Sequence, residues 1–174
     1  LNHGVGFNTA AIELLLPTYG EELGLRGKAC LHWLLNPHPT MIPAIEAGFV
    51  KTIYTVGSEM GMSRYIAARP DIFPIGRDGS MRSNRAFGQM CGHYATDMFI
   101  GASLQIDPQG NSSTATTDRI AGFGGAPNFG CDPRGRRHCS PAWLKAGEET
   151  YAGKNVAPRG RRLVVQLVES FHGR

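Results

Sequence analysis

Short apolar runs recur along this chain of 174 residues and are separated by segments with helical patterns. Apolar residues dominate 28–35 and 97–106, and Val and Leu alternate partly with polar residues in 162–170. The first run predicts a buried strand, the second predicts a strand at its end, and 162–170 is the clearest strand; further strand segments are predicted at 1–5 and 51–56. Because strands and helices alternate, the pattern favours an α/β layered fold with a largely parallel sheet and flanking helices.

Capping residues and prolines set the predicted helix ends. Asn8 or Thr9 can begin a helix over 10–16, because their side chains accept hydrogen bonds from the first free amides of a helix. Pro17 ends this helix, since proline has no N–H to continue it. Another helix is predicted over 58–68.

A rigid turn is predicted at residues 36–40 (Asn-Pro-His-Pro-Thr), because each proline keeps the residue before it out of the helical region. Thr40 can then cap a short helix that Gly48 ends, since glycine accepts the left-handed conformation that follows many helices. A second tight turn is predicted at residues 107–110 (Asp-Pro-Gln-Gly).

The composition is that of one ordinary folded domain. The chain is 41% hydrophobic and 18% charged, and no apolar run reaches the ~18 residues that a membrane span needs. We therefore predict a single domain over residues 1–174, no membrane contact and a cytoplasmic location. The net charge of +4 comes from arginine-rich segments late in the chain. Aromatic residues do not interleave with these arginines, so nucleic acid is not expected as a partner.

The four cysteines, Cys30, Cys91, Cys131 and Cys139, contain no Cys-x-x-Cys pair. An even number permits two disulfides, but a domain of this size does not need them, and reduced thiols are the favoured interpretation. Cys131, His138 and Cys139 match no common zinc spacing and lack a fourth ligand. No metal is therefore predicted.

The glycine-rich segment at 122–128 (Gly-Phe-Gly-Gly-Ala-Pro-Asn) carries the candidate catalytic groups. Gly124 and Gly125 have no Cβ atoms to hold a ligand away, and adjacent amides in such a turn can bind an oxyanion. Arginine suits phosphate and carboxylate groups because its guanidinium donates hydrogen bonds in pairs. The side chains predicted to bind ligand are Asn8, Asn128, Arg134, Arg136 and Arg137.

Four loops are predicted to share one edge of the sheet. Three follow predicted strands, at 4–8, 36–40 and 107–111, and the glycine-rich segment is the fourth. In α/β sheets, ligands bind beyond the carboxyl ends of the strands. The first loop adds Gly4 and Gly6 as predicted ligand-binding positions, although it lacks the third glycine of a dinucleotide-binding motif.

Several motifs of this chain resemble those of class I coenzyme A transferases, and they occur in the order seen in the second domain of that group. These motifs are Gly-Val-Gly-Phe-Asn-Thr-Ala (4–10), Ile-Glu-Ala-Gly (45–48), Leu-Gln-Ile-Asp-Pro-Gln-Gly (104–110) and Gly-Phe-Gly-Gly (122–125). Two longer stretches, 97–116 and 124–138, more specifically resemble the malonate decarboxylase α-subunit family. The resemblance covers essentially the whole chain.

This resemblance implies a CoA-transferase-like domain that forms the C-terminal half of a longer two-domain subunit. It implies a transferase that exchanges acetyl for malonyl on the thioester of an acyl carrier protein. The expected partners are the carrier-protein subunit, malonate and acetate, and other malonate decarboxylase subunits. No cofactor is expected to be bound tightly, because the dephospho-CoA-type prosthetic group belongs to the carrier protein.

The chain departs from the CoA transferases at one position. Their nucleophilic glutamate, counted back from Glu46, would fall within 35–37, where this sequence has Leu-Asn-Pro. Direct attack by malonate is therefore our hypothesis, and Glu46 is expected to be structural because it lies on the helix that follows. Asn36 and His38 occupy the place of the missing carboxylate and either orient a substrate carboxylate or form only a proline-locked turn. An acyl-CoA hydrolase or CoA transferase of the same fold, and a catalytically incomplete piece, remain the alternatives.

Overall fold

Strands and helices alternate along the computed structural model, which describes residues 1–4, 7–55, 61–86, 88, 96–110, 112–118 and 163–168. The strands are β1 (Asn2–His3), β2 (His32–Leu35), β3 (Thr52–Thr55), β4 (Met98–Ala102), β5 (Gln105–Ile106), β6 (Ser112–Ser113) and β7 (Leu163–Leu167). The helices are α1 (Phe7–Leu15), α2 (Tyr19–Glu22), α3 (Ile42–Glu46) and α4 (Ser63–Ala68), with a 3-10 helix at Pro39–Met41 and a helical segment at 81–86. The predicted α/β class is confirmed.

The central strands pair in parallel. β4 lies between β1 and β7, and β2 pairs with β3. Leu1 joins these two groups, because its nitrogen donates to the His32 carbonyl and its carbonyl accepts from the Leu34 amide, both at 2.9 Å. In a parallel ladder, a residue donates to the residue before its opposite partner and accepts from the residue after that partner, as Leu1 does here. The resulting strand order is β3-β2-β1-β4-β7.

This order contains one reversal point. The chain moves outward from β1 to β2 and β3, and then returns to place β4 on the other side of β1. Open α/β sheets bind ligands in the crevice at such a point, outside the carboxyl ends of the strands. The edge where β1 and β4 end is therefore the expected location of a site.

The main core packs helices α1, α3 and α4 against one face of the β2–β3 pair. Trp33 and Leu35 point into this core, whereas Leu34 between them packs with Phe99 on the opposite face, as the two-residue period of a strand requires. The buried core residues include Leu16, Met41, Ala44, Ile45, Phe49, Val50, Ile53, Met62, Ile66, Ile72 and Phe73. No helix in the described ranges has the length and apolar composition to cross a membrane.

The first predicted helix begins earlier than expected. α1 starts at Phe7, so Asn8 and Thr9 lie inside its first turn and do not cap it. The following helix is also capped differently, because His38 and not Thr40 occupies the N-cap of the 3-10 helix that precedes α3. Gly48 has φ of +77° after α3, which confirms the predicted end of that helix.

The strand predicted over 28–35 is too long. Residues 28–31 are not part of β2, because turns bond the amides of Lys28 and Ala29 to the Leu25 carbonyl and Cys30 has φ of 55°. The run at 97–106 is divided, since β4 ends at Ala102 and the chain then enters the β5–β6 hairpin.

The turn at 107–110 is confirmed by its hydrogen bonds. The Gly110 amide donates to the Asp107 carbonyl at 2.9 Å, and Gly110 has φ of +86°. The turn connects β5 and β6, which are antiparallel. The turn therefore lies at a hairpin tip. The prediction that it directly follows a strand of the parallel sheet is wrong.

Candidate functional site

The candidate site lies at the edge where the central parallel strands end. β1 ends at His3, β2 at Leu35 and β4 at Ala102. Because these strands are parallel and adjacent, their carboxyl ends lie at the same edge. Residues 36–40 continue directly from β2 at this edge, as predicted.

A buried histidine–carboxylate pair lies at the end of β1. His3 Nε2 is 2.9 Å from Glu13 Oε1, and the two side chains are only 5% and 1% exposed. Helix α1 supplies the carboxylate, and the His3 ring packs edge-on against Trp33 with ring centroids 5.5 Å apart. A carboxylate removed from water in this way needs hydrogen-bonding partners to remain stable.

The pair shares one proton. His3 Nδ1 lies 2.7 Å from the Gly4 carbonyl oxygen, which can only accept, so Nδ1 carries a hydrogen. His3 Nε2 then either donates to a carboxylate or accepts from a protonated Glu13. The pair has no net charge in either arrangement. It therefore places a buried acid beside the site without an unbalanced negative charge that would repel an anionic ligand.

Thr40 connects Glu13 to the turn after β2. Its hydroxyl donates to Glu13 Oε2 and lies 3.1 Å from His38 Nδ1, while its backbone amide approaches the same nitrogen at 3.4 Å. Because the Thr40 amide donates to Nδ1, that nitrogen is unprotonated in neutral His38 and the ring hydrogen lies on Nε2. Thr40 thus connects to buried Glu13 through its hydroxyl and to exposed His38 through its amide.

Three buried side-chain oxygens of the described residues have no hydrogen-bond partner in the structure: Asn2 Oδ1, Asn36 Oδ1 and Thr55 Oγ1. Asn36 and Thr55 lie close together at the sheet edge, because β2 and β3 pair with Leu35 opposite Thr55. Asn2 lies in β1, where its Nδ2 donates to the Leu34 carbonyl. Buried polar atoms are rarely left unpaired, so this part of the sheet is suited to a polar ligand or water.

Gly4 takes part in the sheet rather than offering a free amide. Its N–H donates to the Ile100 carbonyl at 2.8 Å, and its carbonyl accepts from His3. A Cβ on Gly4 would lie 3.9 Å from its nearest neighbour, Gly101 Cα, so the surrounding protein does not require glycine there. Any requirement for glycine at this position must come from a ligand or from residues outside the described ranges.

The remaining predicted site residues fall into two groups. Asn8 lies in the first turn of α1, close in sequence to the end of β1. The others lie outside the described residues: Gly6, Gly124, Gly125, Asn128, Arg134, Arg136 and Arg137. Of the predicted catalytic residues, the structure therefore describes Asn36 and His38, both in the turn after β2.

Glu46 takes part in a polar cluster on the surface of α3 and α4. Arg69 Nη1 donates to Glu46 Oε1 at 2.6 Å, and the Tyr65 hydroxyl donates to the same oxygen at 2.5 Å. Arg69 also binds Asp71 through two nitrogens and holds the pKa of that carboxyl below its usual range, chiefly by hydrogen bonding. Burial, reinforced by the hydrogen bond to Glu46, raises the pKa of Tyr65 to about 12. These contacts favour the structural role predicted for Glu46.

Sequence reasoning missed His3, Glu13 and Thr40 as members of the site. One signal was available, because Glu13 is the single charged residue within the apolar run 10–16. A lone carboxylate in the middle of an apolar helix is seldom buried without a partner. Its partners, however, come from two other segments of the chain. In the described part of the chain, no three His, Cys, Asp or Glu side chains form a group that could hold a metal ion.

Comparisons with known proteins agree with the resemblance. The family model described as malonate decarboxylase, alpha subunit, transporter matches residues 1–174. The acetyl-S-ACP:malonate ACP transferase of Malonomonas rubra is 67% identical to this chain over 174 residues, which cover 98% of the chain and 31% of the relative.

Two solved structures are also similar. A Pseudomonas malonate decarboxylase hetero-tetramer in complex with malonate matches with a TM-score of 0.75 and 64% identity, over 98% of this chain and 31% of that one. The malonate decarboxylase alpha subunit of Acinetobacter baumannii matches with a TM-score of 0.74 and 60% identity, over 98% of this chain and 32% of that one. This chain thus spans about a third of the length of these relatives. It belongs to the malonate decarboxylase alpha-subunit family.

Proposed function

We propose that the protein containing this chain is a transferase that exchanges acetyl for malonyl on a carrier-protein thioester. The observation that carries this proposal is the 67% identity to an acetyl-S-ACP:malonate ACP transferase across 98% of the chain. The absence of a carboxylate at residues 35–37 also supports it, since a covalent CoA-transferase mechanism would need one there.

The exchange proceeds by direct attack. A malonate carboxylate oxygen adds to the acetyl thioester carbonyl, a C–O bond forms, and the C–S bond breaks to release the carrier thiolate. The thiolate then attacks the malonyl carbonyl of the mixed anhydride, so that a new C–S bond forms and acetate leaves. No proton is gained or lost overall. The protein supplies orientation of the reactants and stabilisation of negative charge.

The negative charge of each tetrahedral intermediate rests on the backbone amides of Gly124 and Gly125 in this proposal. Loss of one such donor typically lowers the rate about 100- to 1000-fold. Gly125→Val keeps the backbone N–H but adds a branched side chain that holds the ligand away from it. In the full-length subunit this substitution is expected to abolish transfer and leave the circular dichroism spectrum unchanged. Retention of wild-type activity would contradict this assignment.

Asn36 and His38 orient malonate at the edge of the sheet. His38 Nδ1 accepts from the Thr40 amide, which leaves the Nε2 hydrogen as the ring donor that can meet a carboxylate. Asn36 has an amide that can donate, beside an Oδ1 that is buried and unpaired in the structure. The turn is held by Pro37 and Pro39, so both side chains are presented without much loss of chain entropy on binding.

The carrier protein brings its own dephospho-CoA-type arm, and the protein itself holds no cofactor tightly. Phosphates of the arm are bound by Arg134, Arg136 and Arg137, and the remaining ligand contacts come from Gly4, Gly6, Asn8 and Asn128. The other partners are further malonate decarboxylase subunits, which the hetero-tetrameric assembly of the Pseudomonas relative supports. We place the reaction in the cytoplasm, and the free thiol of Cys30 is compatible with a reducing compartment.

The decisive experiment uses the full-length subunit, because this chain spans about a third of its relatives. Acetyl-loaded carrier protein and labelled malonate are expected to give malonyl-loaded carrier and acetate. Equal turnover of free acetyl-CoA would favour an acyl-CoA hydrolase or CoA transferase instead. A stable acyl adduct on a side chain would reject direct attack. Residues 1–174 assayed alone show whether this piece is catalytically incomplete.

A further inference from the structure

Glu13 joins the two loops that border the predicted malonate site. One carboxylate oxygen lies 2.9 Å from His3 Nε2 at the end of β1, and the other accepts from the Thr40 hydroxyl at the end of the turn after β2. We infer that Glu13 is a positioning residue for malonate: its two hydrogen bonds fix the turn that carries Asn36 and His38 against the end of β1. This inference rests on the proposed role of that turn in binding malonate.

The geometry gives Glu13 few other roles. It is 1% exposed, so it does not contact bulk solvent, and both of its oxygens are occupied by His3 and Thr40. Direct exchange moves no proton overall, so the transfer does not require Glu13 as an acid or a base. The carboxylate instead links α1 to the turn after β2, across 27 residues of sequence.

The link matters because packing holds only one side of the turn: Pro37 is buried, whereas His38 and Pro39 are exposed. Prolines stiffen residues 36–40 internally, but internal stiffness does not fix the turn relative to β1. His38 is exposed and meets the buried network only through Thr40 in the contacts that the structure gives. A displacement of about 1 Å at a group that orients a reactant is enough to lower a rate about 100-fold. Loss of the Glu13–Thr40 bond would permit such a displacement.

Two substitutions separate hydrogen bonding from charge. In E13Q, the amide nitrogen can donate to His3 Nε2 while the amide oxygen accepts from Thr40, so both links survive without a carboxylate. In E13L, a side chain of similar size fills the same space and makes neither link. The malonate affinity of E13Q is therefore expected to lie within about 3-fold of the wild type. The affinity of E13L should be about 10-fold weaker than the wild type, which is the equivalent of losing one charged hydrogen bond.

Calorimetric titration of malonate into the full-length subunit measures this affinity without requiring turnover. E22L is the matched control, since Glu22 is an exposed glutamate on α2, and its affinity should equal that of the wild type. Wild-type affinity in E13L would overturn the inference, as would failure of the unaltered subunit to bind malonate. An equal loss in E13Q and E13L would also overturn it, because the effect would then come from charge and not from position.

Kinetics distinguish a positioning role from a general loss of folded protein. In E13L, the KM for malonate should rise about 10-fold while the KM for acetyl-loaded carrier stays within about 2-fold of the wild type. A lower kcat with both KM values unchanged would indicate misfolding only and would reject the inference. If E13L does not fold, T40V removes the same link from the other side with a nearly isosteric side chain. T40V is expected to weaken malonate binding about 3-fold or more, and unaltered binding would reject the inference.

These readouts keep the two proposals apart. A subunit that binds malonate, and loses that binding in E13L, but does not transfer acetyl for malonyl would contradict the proposed function and support the role of Glu13. If the unaltered subunit transfers normally but E13L binds malonate as tightly as the wild type, the proposed function is supported and the role of Glu13 is contradicted.

Discussion

The Asn84 side chain accepts a hydrogen bond from the backbone amide of Thr55 at the edge of the sheet. Its Oδ1 accepts from the Thr55 amide at 2.8 Å, and its Nδ2 donates to the carbonyls of Ile53 and Pro74. The Asn84 side chain thus bonds to the backbone along β3 as a further strand would, and it is itself buried. A segment far along the sequence from β2 and β3 thereby fixes the carboxyl end of the pair.

Replacing Asn84 should therefore destabilise the fold strongly. Asn84→Leu keeps the size of the side chain but leaves one amide and two carbonyls without partners, at about 1 kcal/mol or more each. The free energy of unfolding is expected to fall by about 2–4 kcal/mol, measured by urea denaturation followed through tryptophan fluorescence. Arg82→Ala on the same helical segment is the control, because Arg82 is exposed and should change stability by less than about 0.5 kcal/mol. Equal stabilities for the two variants would contradict the role of Asn84.

Gly101 in β4 is required by packing. A Cβ there would lie 2.7 Å from Phe99 Cε1 and 3.2 Å from Gln166 Oε1, and the fully buried Phe99 ring has little freedom to move. Gly101→Ala should lower the free energy of unfolding by about 1–3 kcal/mol, in the range of overpacked cores. Thermal unfolding checks this, with Gly4→Ala as the control because a Cβ on Gly4 meets nothing closer than 3.9 Å. Destabilisation of both variants to the same degree would show that loss of glycine, and not crowding, is responsible.

The α/β class and the parallel sheet could be predicted because β2 and β4 lie in short apolar runs, such as Trp33 to Leu35 within β2. The left-handed Gly48 could be predicted because glycine alone takes that conformation freely. The ends of β2 and α1 could not. Cys30 has φ of 55°, a conformation that cysteine rarely adopts and that the sequence does not indicate. The residues before Phe7 give no local signal that the helix begins there.

The candidate site was predictable only in part. The position of Asn36 and His38 at the end of β2 could be predicted because their turn follows an apolar run and contains two prolines. The pairing of His3 with Glu13 and of Glu13 with Thr40 depends on which side of α1 faces the sheet, and that is decided by packing of the whole helix. Long-range polar contacts of this kind leave no periodic signal in a single sequence. The unusual charge of Glu13 in its apolar surroundings indicated burial but not the identity of its partners.

Tyr65 should make stability depend on alkaline pH. Burial and the hydrogen bond to Glu46 raise its pKa from 10.0 to about 12, so the folded protein keeps the phenol proton in a range where the unfolded chain loses it. This contribution to stability is complete below pH 10 and is lost as the pH rises towards 12. The difference in unfolding free energy between wild type and Tyr65→Phe should therefore shrink from pH 9 to pH 11.5. Urea denaturation at several pH values measures it.

The matching control keeps the Tyr65 phenol and removes the charge of its hydrogen-bond acceptor, Glu46. In Glu46→Gln the acceptor loses its charge, so the pKa of Tyr65 should move back towards its ordinary value, as seen in an ultraviolet titration of the tyrosines. Arg69 stays charged throughout this range, because its hydrogen bonds to Asp71 raise its pKa further. If the difference in unfolding free energy between wild type and Tyr65→Phe stays constant with pH, the raised pKa of Tyr65 is contradicted.

Asn36 should show opposite effects on stability and on activity. Its Oδ1 is buried with no partner in the structure, so the fold gains no hydrogen bond from that atom. Asn36→Leu has a similar size and removes an unpaired polar atom, and the free energy of unfolding should stay within about 1 kcal/mol of the wild type or increase. Transfer from acetyl-loaded carrier to malonate should nevertheless fall about 10-fold or more, since the residue that we propose to orient the carboxylate is lost. Pro37, which follows it, must be kept so that the turn is unchanged. A large loss of stability with normal activity per folded molecule would instead make Asn36 a structural part of the turn and remove it from the site.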